Sequence, residues 1–498
     1  MQRTLFAAGC LLLGACSVTR EVRHDDDPEG APHVLVLTEE TTEPVVVDPA
    51  VTQPLSLPRE DDGPWRLEEA LGAPDWLSLS IEQRSRYEGY NRDFRASATA
   101  NSTRSDGYVL RTLVDLAARV DAWTFHGEFV DSRTYDFAEN APLNTGTVNA
   151  VELLQGYVGY TLSDLFEEGD SLQVKVGRQT IDTGGRRLAA RNGYRNTINN
   201  FGGIYGDFRT ADGDRLEAFA VFPTRRLPND RGEIQDNEVT FDEEQEGQFF
   251  FALHGTTNVY EGTTGELYVY GLDEQDKGSI ATRDRHLWTF GARMLKKPQR
   301  GKAFAEWESM YQIGESRSSS GSTADLDHEA HYHHLSIGYQ FDVESRFQIE
   351  GLFDYASGDD DPTDGENNRF DTLFGQRRDY GSPGIFGAYA RANLISPGLR
   401  IKWKPLEGTS LYLAHRFNYL ASKRDAWVPG GLVDPDGNSG RHIGEMSELR
   451  IKQDIFPESL QLQGGMVYLT EGSFVENAPN ATGQGDSAYV WLGWTFWI

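Results

Sequence analysis

Apolar and polar residues alternate along most of this chain, in segments of ten to fifteen residues separated by turn residues. The first such segment begins at Leu77 and the last closes the chain. In the closing segment, one face carries an unbroken apolar series: Val490, Leu492, Trp494, Phe496 and Ile498. A period of two is typical of β-strands that have one apolar face. We therefore predict an all-β fold.

The number of these segments and the lengths of the joins between them indicate a barrel. We count about eighteen predicted strands, an even number, as bacterial outer-membrane barrels require. Short joins such as Asp212–Asp214 alternate with long ones such as Asn229–Gln245 and Ser357–Pro383. This alternation is typical of periplasmic turns and extracellular loops. Residues 65–498 are thus predicted to form an antiparallel transmembrane β-barrel of about 18 strands, and a large soluble all-β protein is the alternative.

Overall hydropathy agrees with a barrel and excludes a helical membrane protein. The chain has a mean hydropathy of −0.54. It has no apolar run of eighteen residues after its N-terminal segment. A barrel keeps such a low value because its lumen-facing residues are polar. The last strand also resembles the terminal insertion signal of outer-membrane barrels, although it ends in Ile498 rather than Phe or Trp. We therefore expect outer-membrane lipid and the barrel assembly machinery as partners.

The first 64 residues predict two further segments. Residues 1–16 have the charge pattern and apolar stretch of a signal peptide, and Leu13–Cys16 resembles a lipobox, which would make Cys16 an acylated N-terminus. Ordinary cleavage is the alternative. Residues 17–64 carry three Arg and twelve acidic residues and are rich in Pro, Thr and Glu, so we predict a disordered acidic tether. Both cysteines precede residue 17, which leaves the mature body without disulfides or thiolate metal sites.

Strand alternation also predicts a lumen charged with both signs. The cations placed inward by parity are Arg84, Arg86, Arg111, Arg293, Arg400, Lys402, Lys404, Arg416 and Arg450. The acids placed inward are Glu82, Asp115, Glu128, Glu306, Glu308, Glu350 and Asp354. The chain has 38 Arg and only 9 Lys, and the planar Arg fork suits carboxylated or phosphorylated solutes. The cations thus either line an anion passage or belong to a salt-bridge lattice that braces the wall.

Two motif blocks carry a family resemblance. The first comprises Gly177–Gln179, Gly185–Leu188, Tyr194–Thr197 and Phe201–Gly203, and the second comprises Asp354–Pro362, Phe370–Phe374, Tyr380–Gly381 and Ala392–Leu394. Their order and spacing resemble the alginate export porin family, although Tyr194 and Gly202 depart from the family's usual Trp and Asp. This resemblance covers roughly residues 77 to 498 and implies an eighteen-stranded outer-membrane barrel.

The resemblance also implies site residues. Arg178, Arg187 and Arg195 match recurring arginines of the family and become candidates for the constriction or its supporting loop. Strict alternation, however, puts Arg178 on the same face as lipid-facing Val174 and Val176. Either a bulge at Gly177 turns Arg178 inward, or Arg178 lies at the headgroup interface.

Two clusters have metal-ligating residue types. Asp359, Asp361 and Asp364 have the oxygen density of a calcium loop but lack a closing Glu, so an acidic loop without metal is favoured. His328, His331, His333 and His334 could bind zinc, but a strand-end cluster at the membrane interface is favoured. The sequence singles out no catalytic set, phosphate loop or nucleic-acid surface.

The function predicted from these features is a passive outer-membrane channel, not an enzyme. It would export or admit anionic carbohydrate, such as alginate-like uronate polymers or oligomers, without a cofactor. The alternatives are a general or small-solute porin, an enzyme built into a barrel, and a plugged structural or adhesive barrel.

Overall fold

The computed structural model describes residues 65–98, 104–278, 280–381 and 384–498. The predicted signal peptide, Cys16 and the predicted tether lie outside these residues. Eighteen long strands make the barrel. Their bounds are β1 Leu77–Asn91, β2 Arg104–Val120, β3 Trp123–Tyr135, β4 Asn149–Ser163, β5 Ser171–Gln179, β6 Phe201–Arg209, β7 Arg215–Arg225, β8 Gln248–Tyr260, β9 Thr263–Glu274, β10 His286–Lys296, β11 Lys302–Ser316, β12 Leu326–Gln340, β13 Gln348–Ala356, β14 Leu394–Trp403, β15 Thr409–Tyr419, β16 His442–Phe456, β17 Leu460–Leu469 and β18 Ser487–Trp497.

The sheet closes on itself through its first and last strands. Each strand pairs antiparallel with its neighbours in the chain, and β18 pairs with both β17 and β1. Trp494, for example, lies opposite Ser85 on one side and Leu462 on the other. The joins alternate between short turns and long loops around the ring. The prediction of an eighteen-stranded antiparallel barrel is therefore confirmed.

Alternate side chains of the strands face opposite environments. In β18, Val490, Leu492 and Trp494 are 48%, 66% and 49% exposed, whereas Tyr489 and Trp491 are almost fully buried. An exposed apolar series of this kind requires an apolar solvent, and the hydrocarbon of the membrane supplies it. The outward face of the barrel is thus its lipid-facing face, as the period-two pattern predicts.

Other regular elements are short. They are the helices α1 Leu67–Leu71, α2 Arg231–Gln235 and α3 Ser473–Asn477, a 3-10 turn at Arg378–Tyr380, and the two-residue strands Glu243–Glu244 and Glu366–Asn367. No helix among the described residues is long and apolar enough to cross a membrane.

The hydrophobic core lies inside the end of the barrel that carries the long loops. Phe94, from the loop after β1, packs against Phe386 at 5.2 Å and Trp427 at 5.0 Å between ring centroids. Phe386 in turn stacks on Tyr489 of the wall at 5.4 Å. Loops that are far apart in sequence therefore share one apolar cluster in the barrel mouth, next to the strands where the ring closes.

Closure of the ladder predicts heat-modifiable migration on gels. Because β18 completes the ring, every strand has two partners, and no strand edge exposes unpaired N–H and C=O groups to detergent. We expect the folded protein to migrate differently in SDS before and after boiling, with a strand-dominated circular dichroism spectrum in mild detergent. Identical migration in both samples, or a predominantly helical spectrum, would contradict the fold.

Candidate functional site

Two long loops enter the lumen and meet there. Loop A is residues 180–200, between β5 and β6, and loop B is residues 357–393, between β13 and β14. Phe374 of loop B bridges Ala189 of loop A, and its N–H donates to the carbonyl of Leu188 at 2.9 Å. At the next position, Gly375, a Cβ would lie 1.8 Å from the carbonyl oxygen of Arg187. Only glycine therefore allows the two loops to approach this closely.

The predicted wall cations Arg84, Arg86 and Arg111 hold loop A by its main chain. Arg84 donates to the carbonyls of Gly193 at 2.9 Å and Arg195 at 2.6 Å. Arg111 donates to the same two carbonyls at 2.7 and 3.1 Å. Arg86 donates to the carbonyl between them, that of Tyr194, at 3.0 Å. These three side chains face the lumen, but they anchor a loop there.

Arginines of loop A also form salt bridges with acids of the barrel wall. Arg187 reaches Glu306 at 2.6 Å and contacts Glu308, both on β11. Arg191 binds Glu128 of β3 through both of its terminal nitrogens. All of these groups except Glu306 are buried. Loop A thus crosses the lumen between walls made of different strands.

Loop B is fixed in the same way. Arg378 pairs with Glu448 of β16 at 2.9 Å and lies 4.3 Å from the centre of the Tyr194 ring in loop A. The guanidinium of Arg86 lies on the same ring at 5.0 Å, so Tyr194 sits between two cations. Within loop B, the fully buried Arg391 pairs with Asp379 at 2.5 Å. The two loops therefore form one constriction, tied to the wall at several points.

The other predicted wall arginines also have partners. Arg293 pairs with Glu266 at 2.6 Å and Glu306 at 2.9 Å, Arg400 with Glu350 at 2.7 Å, Arg416 with Asp354 at 2.8 Å, and Arg450 with Glu448 at 3.3 Å. Among the predicted acids, Asp115 contacts His126 at 2.6 Å and Glu82 contacts Arg111 at 2.6 Å. On this geometry, these cations form a bracing lattice, and a direct role in solute binding stays a prediction for them.

Three predicted inward cations, Arg400, Lys402 and Lys404, lie at and just beyond the end of β14. Arg400 is paired with Glu350, and Lys402 is an exposed residue of β14. Lys404 follows the end of β14 at Trp403, and its N–H donates to the carbonyl of Ser345 in the neighbouring turn. β14 therefore carries Arg400 and Lys402 but not Lys404, and a pore-lining role for these three cations stays a prediction.

Arg178 is not turned inward by a bulge. The pairing of β5 with β4 and β6 continues through Gly177 without a register shift. By parity Arg178 therefore shares the outward face of Val174 and Val176, and its guanidinium reaches the buried Glu152 at 2.8 Å. Gly177 is required for another reason, since a Cβ there would lie 2.4 Å from the carbonyl oxygen of Gly156.

A second group of arginines lies in the long loops. Arg195 and Arg226 both donate to the side-chain oxygen of Asn199, at 2.5 and 2.8 Å. Burial, together with the charges of Arg226 and Arg377, lowers the pKa of Arg195 well below its usual value. Within the parts of the chain that the structure describes, no salt bridge joins Arg195, Arg226 or Arg377 to an acid. These three residues, the arginine cluster, concentrate positive charge at the constriction.

A cavity of about 300 Å³ lies beside this cluster. Its lining is rich in amides and contains two aromatic rings: Thr145, Asn199, Asn200, Phe201, Pro223, Thr224, Arg225, Arg226, Asn229, Gln245, Gln248 and Phe374. Asn and Gln side chains both donate and accept, which matches the hydroxyls of a sugar. Arginine forks match carboxylates. The cavity can therefore accommodate a polar, negatively charged ring.

Sequence reasoning found only one member of the arginine cluster. Arg195 lies in a motif block, whereas Arg226 and Arg377 lie in loops without any period. A weak signal was available in the pairs Arg225–Arg226 and Arg377–Arg378, which place adjacent cations in long extracellular-type joins. Nothing in the sequence indicates that these joins come together.

Comparison with known proteins identifies the family. The model of the alginate export family matches residues 75–488, most of the chain. The chain belongs to the alginate export family. A search of curated proteins finds no match. Both motif blocks of this alginate export family member contribute to the constriction, the first to loop A and the second to loop B.

Solved porins share the fold of this alginate export family member. Pseudomonas aeruginosa OccK8 (OprE) aligns with a TM-score of 0.55 and 11% identity, over 85% of this chain and 98% of that chain. OprD of the same organism aligns at 0.54 and 11%, over 85% and 93%. OpdK, in a structure with vanillate, aligns at 0.52 and 12%, over 84% and 98%. The family and these barrels establish an outer-membrane channel rather than an enzyme.

Among the described residues, no group of three or more His, Cys, Asp or Glu side chains is arranged to hold a metal ion, and this includes both candidate clusters. Asp361 accepts from Thr363, and Asp364 accepts from the N–H of Glu366 at 2.9 Å, within their own turn. Burial and the neighbouring Asp425 raise the pKa of Asp359 to about 6. His328 and His334 are buried in the lumen, whereas His331 and His333 face outward.

Proposed function

We propose that this channel carries anionic carbohydrate of the uronate class past the arginine cluster. The observation that supports the proposal is the contrast among the lumen cations. Arginines of the wall are paired with acids or main-chain carbonyls, whereas Arg195 forms no salt bridge among the described residues and is repelled by Arg226 and Arg377. An incoming carboxylate relieves that repulsion, and the amides of Asn199, Asn200 and Gln248 can bind sugar hydroxyls.

Binding at this cluster is compatible with release. Arg195 and Arg226 already donate to a neutral oxygen, the side-chain oxygen of Asn199, so a solute that binds them exchanges one hydrogen bond for another. The net gain per contact is therefore moderate. A passage needs this balance, since binding has to be favourable enough for entry and weak enough for exit.

The experiment is conductance in planar bilayers with the full-length protein. We expect the triple variant R195Q/R226Q/R377Q to shift reversal potentials toward cations and to weaken block by uronate oligomers by about tenfold or more. The matched control R104Q/R300Q/R424Q removes three exposed arginines and should leave block unchanged. The effect should shrink as salt rises, because screening shortens the reach of each charge.

Two results would contradict this proposal. Equal block of the wild type and the triple variant at low salt would place the solute path elsewhere. Equal block by neutral and anionic oligomers would indicate a general porin. The loops packed into the barrel mouth favour a second candidate, a closed structural barrel, and a wild-type protein that conducts no ions would support it.

The charge of the cavity should also depend on pH. Asp242 accepts from the N–H of Leu227 at 2.8 Å, and its charge favours the charged form of Arg226. Burial, with the neighbouring Glu152, raises the pKa of Asp242 to about 6. Asp242 is therefore ionised at pH 7 and largely protonated at pH 5, where Arg226 loses a compensating charge.

We expect block by uronate oligomers to strengthen severalfold when the pH falls from 7 to 5. In D242N the block should be strong at both pH values. D359N is the control, since the pKa of Asp359 is also raised to about 6 but its charged neighbours are Asp425, Arg369 and Asp364, whereas the acid that acts on Arg226 is Asp242. A pH dependence that persists in D242N and disappears in D359N would show that another group is responsible.

A further inference from the structure

An open depression of about 560 Å³ lies on the lipid-facing side of β9–β12. Its floor follows one row of the sheet, in which Ala292 lies between Leu267 and Ser309, and Ser309 lies opposite His333. Ala292 and Ser309 are small, so the surface is depressed there. We call this row the trough.

Large apolar side chains flank the trough. Phe290 and Tyr311 lie in the next row toward the long loops and are 48% and 44% exposed. Met294 and Trp307 lie in the next row toward the short turns and are 46% and 42% exposed. A chain lying over Ala292 and Ser309 would therefore contact apolar walls on both sides.

A polar relay closes one end of the trough. Ser309 Oγ lies 2.9 Å from His333 Nδ1, and His333 Nε2 lies 3.1 Å from His331 Nδ1. If the hydroxyl of Ser309 donates to His333 Nδ1, then His333 Nε2–H donates to His331 Nδ1, and His331 Nε2–H is left as a donor. If His331 Nδ1–H donates to His333 Nε2, then His333 Nδ1–H donates to Ser309 Oγ, and the hydroxyl of Ser309 is left as a donor. In both neutral arrangements the relay therefore offers one hydrogen to an external acceptor.

The relay lies at a change of polarity along β12. The outward residues toward the long loops are Glu329, His331 and His333, and those toward the short turns are Leu335 and Ile337, 41% and 59% exposed. Polar groups that face hydrocarbon are costly unless they find a partner. A partner that combines an apolar chain with a hydrogen-bond acceptor at one end would satisfy both the trough and the relay.

We propose that the trough binds an ester-linked acyl chain of a membrane lipid. The acyl chain lies over Ala292 and Ser309 toward Leu267, and the ester carbonyl accepts the hydrogen bond of the relay. The outward pair of His415 and Ser447, 2.9 Å apart, offers similar polar chemistry. It lies next to Leu399 and Leu413 instead of a row of small residues, so it provides a control.

The test is native mass spectrometry of the full-length protein released from detergent micelles. The probes are dioleoyl phosphatidylglycerol and its diether analogue, which has the same chains and headgroup but no ester carbonyl. We expect the wild type to retain the ester lipid about fivefold more than the ether lipid, as one net hydrogen bond allows. A292F should lose retention of both lipids because it fills the trough.

The variant S309A/H331L/H333L should retain both lipids equally, and H415L should behave as the wild type. Heat-modifiable migration verifies that each variant is folded. Equal retention of ester and ether lipid by the wild type would overturn the proposal, as would unchanged retention in A292F. A dimer that dissociates in A292F would also overturn it, because the trough would then be a contact between two copies of the chain.

Discussion

A chain that ends at Tyr489 is expected not to reach the outer membrane as a folded barrel. Residues 490–498 supply most of β18, which pairs with β1 from Glu82 to Asn91 and with β17 from Leu460 to Leu469. Without them, both neighbours present unpaired N–H and C=O groups to hydrocarbon, where each such group costs several kcal/mol. The expected loss of heat-modifiable protein from outer-membrane fractions is therefore complete.

A deletion of equal length gives the control. Removing residues 40–48, within the predicted tether, should leave the amount of folded protein in these fractions unchanged. Normal levels of the chain truncated after Tyr489 would show that the ring can close without its last strand, which would contradict the pairing described above.

The second large effect is expected at Arg187. Its guanidinium ties loop A to Glu306 and Glu308 of the wall and lies 3.9 Å from Asp379 of loop B. Removing one partner of a buried charge network typically costs about 3–5 kcal/mol, because the remaining carboxylates repel one another without compensation. We expect R187M to loosen both loops around this contact, while their other ties to the wall remain and the barrel itself stays folded. Trypsin should then cut at Arg191 and Arg195, and single-channel currents should become larger and noisier.

Two controls separate the network from a general loss of charge. R300M removes an exposed arginine of a short turn, paired with Asp342 at 3.2 Å, and should change neither readout. R187M/E306Q/E308Q removes the uncompensated acids as well and should recover part of the trypsin resistance. A triple variant as susceptible as R187M would show that Arg187 acts through its packing and not through its charge.

The strands were predictable because their information is local. A period of two over ten residues identifies a strand and its lipid-facing side without knowledge of its neighbours. The same parity correctly placed Arg84, Arg86 and Arg416 on the inner face, where the structure buries them. Counting such segments was enough to obtain the number of strands.

The constriction could not be predicted, since its contacts join positions that are distant in sequence. Arg84 donates to carbonyls 109 and 111 residues away. No periodic pattern indicates which strand a loop will cross. Strand parity predicts which face of the wall a charged side chain lies on, but not which residue it pairs with. For this reason the sequence could not show that most wall arginines are paired with acids or main-chain carbonyls.

Gly177 illustrates a different limit. A glycine before an arginine of the wrong parity suggests a bulge, but a glycine is also needed where two strands approach too closely for a Cβ. Sequence does not distinguish the two uses. In the structure the second one applies, because the carbonyl of Gly156 occupies the space of a Cβ at this position.

The anchoring of loop A by main-chain oxygens has a consequence for how such channels can diverge. Arg84, Arg86 and Arg111 bind the carbonyls of Gly193, Tyr194 and Arg195, and a carbonyl is present whatever side chain a residue carries. Substitutions on this stretch of loop A can therefore alter what the lumen recognises while the loop keeps its position. A library randomised at position 195, with the three wall arginines intact, should yield folded channels that differ mainly in the solutes they admit.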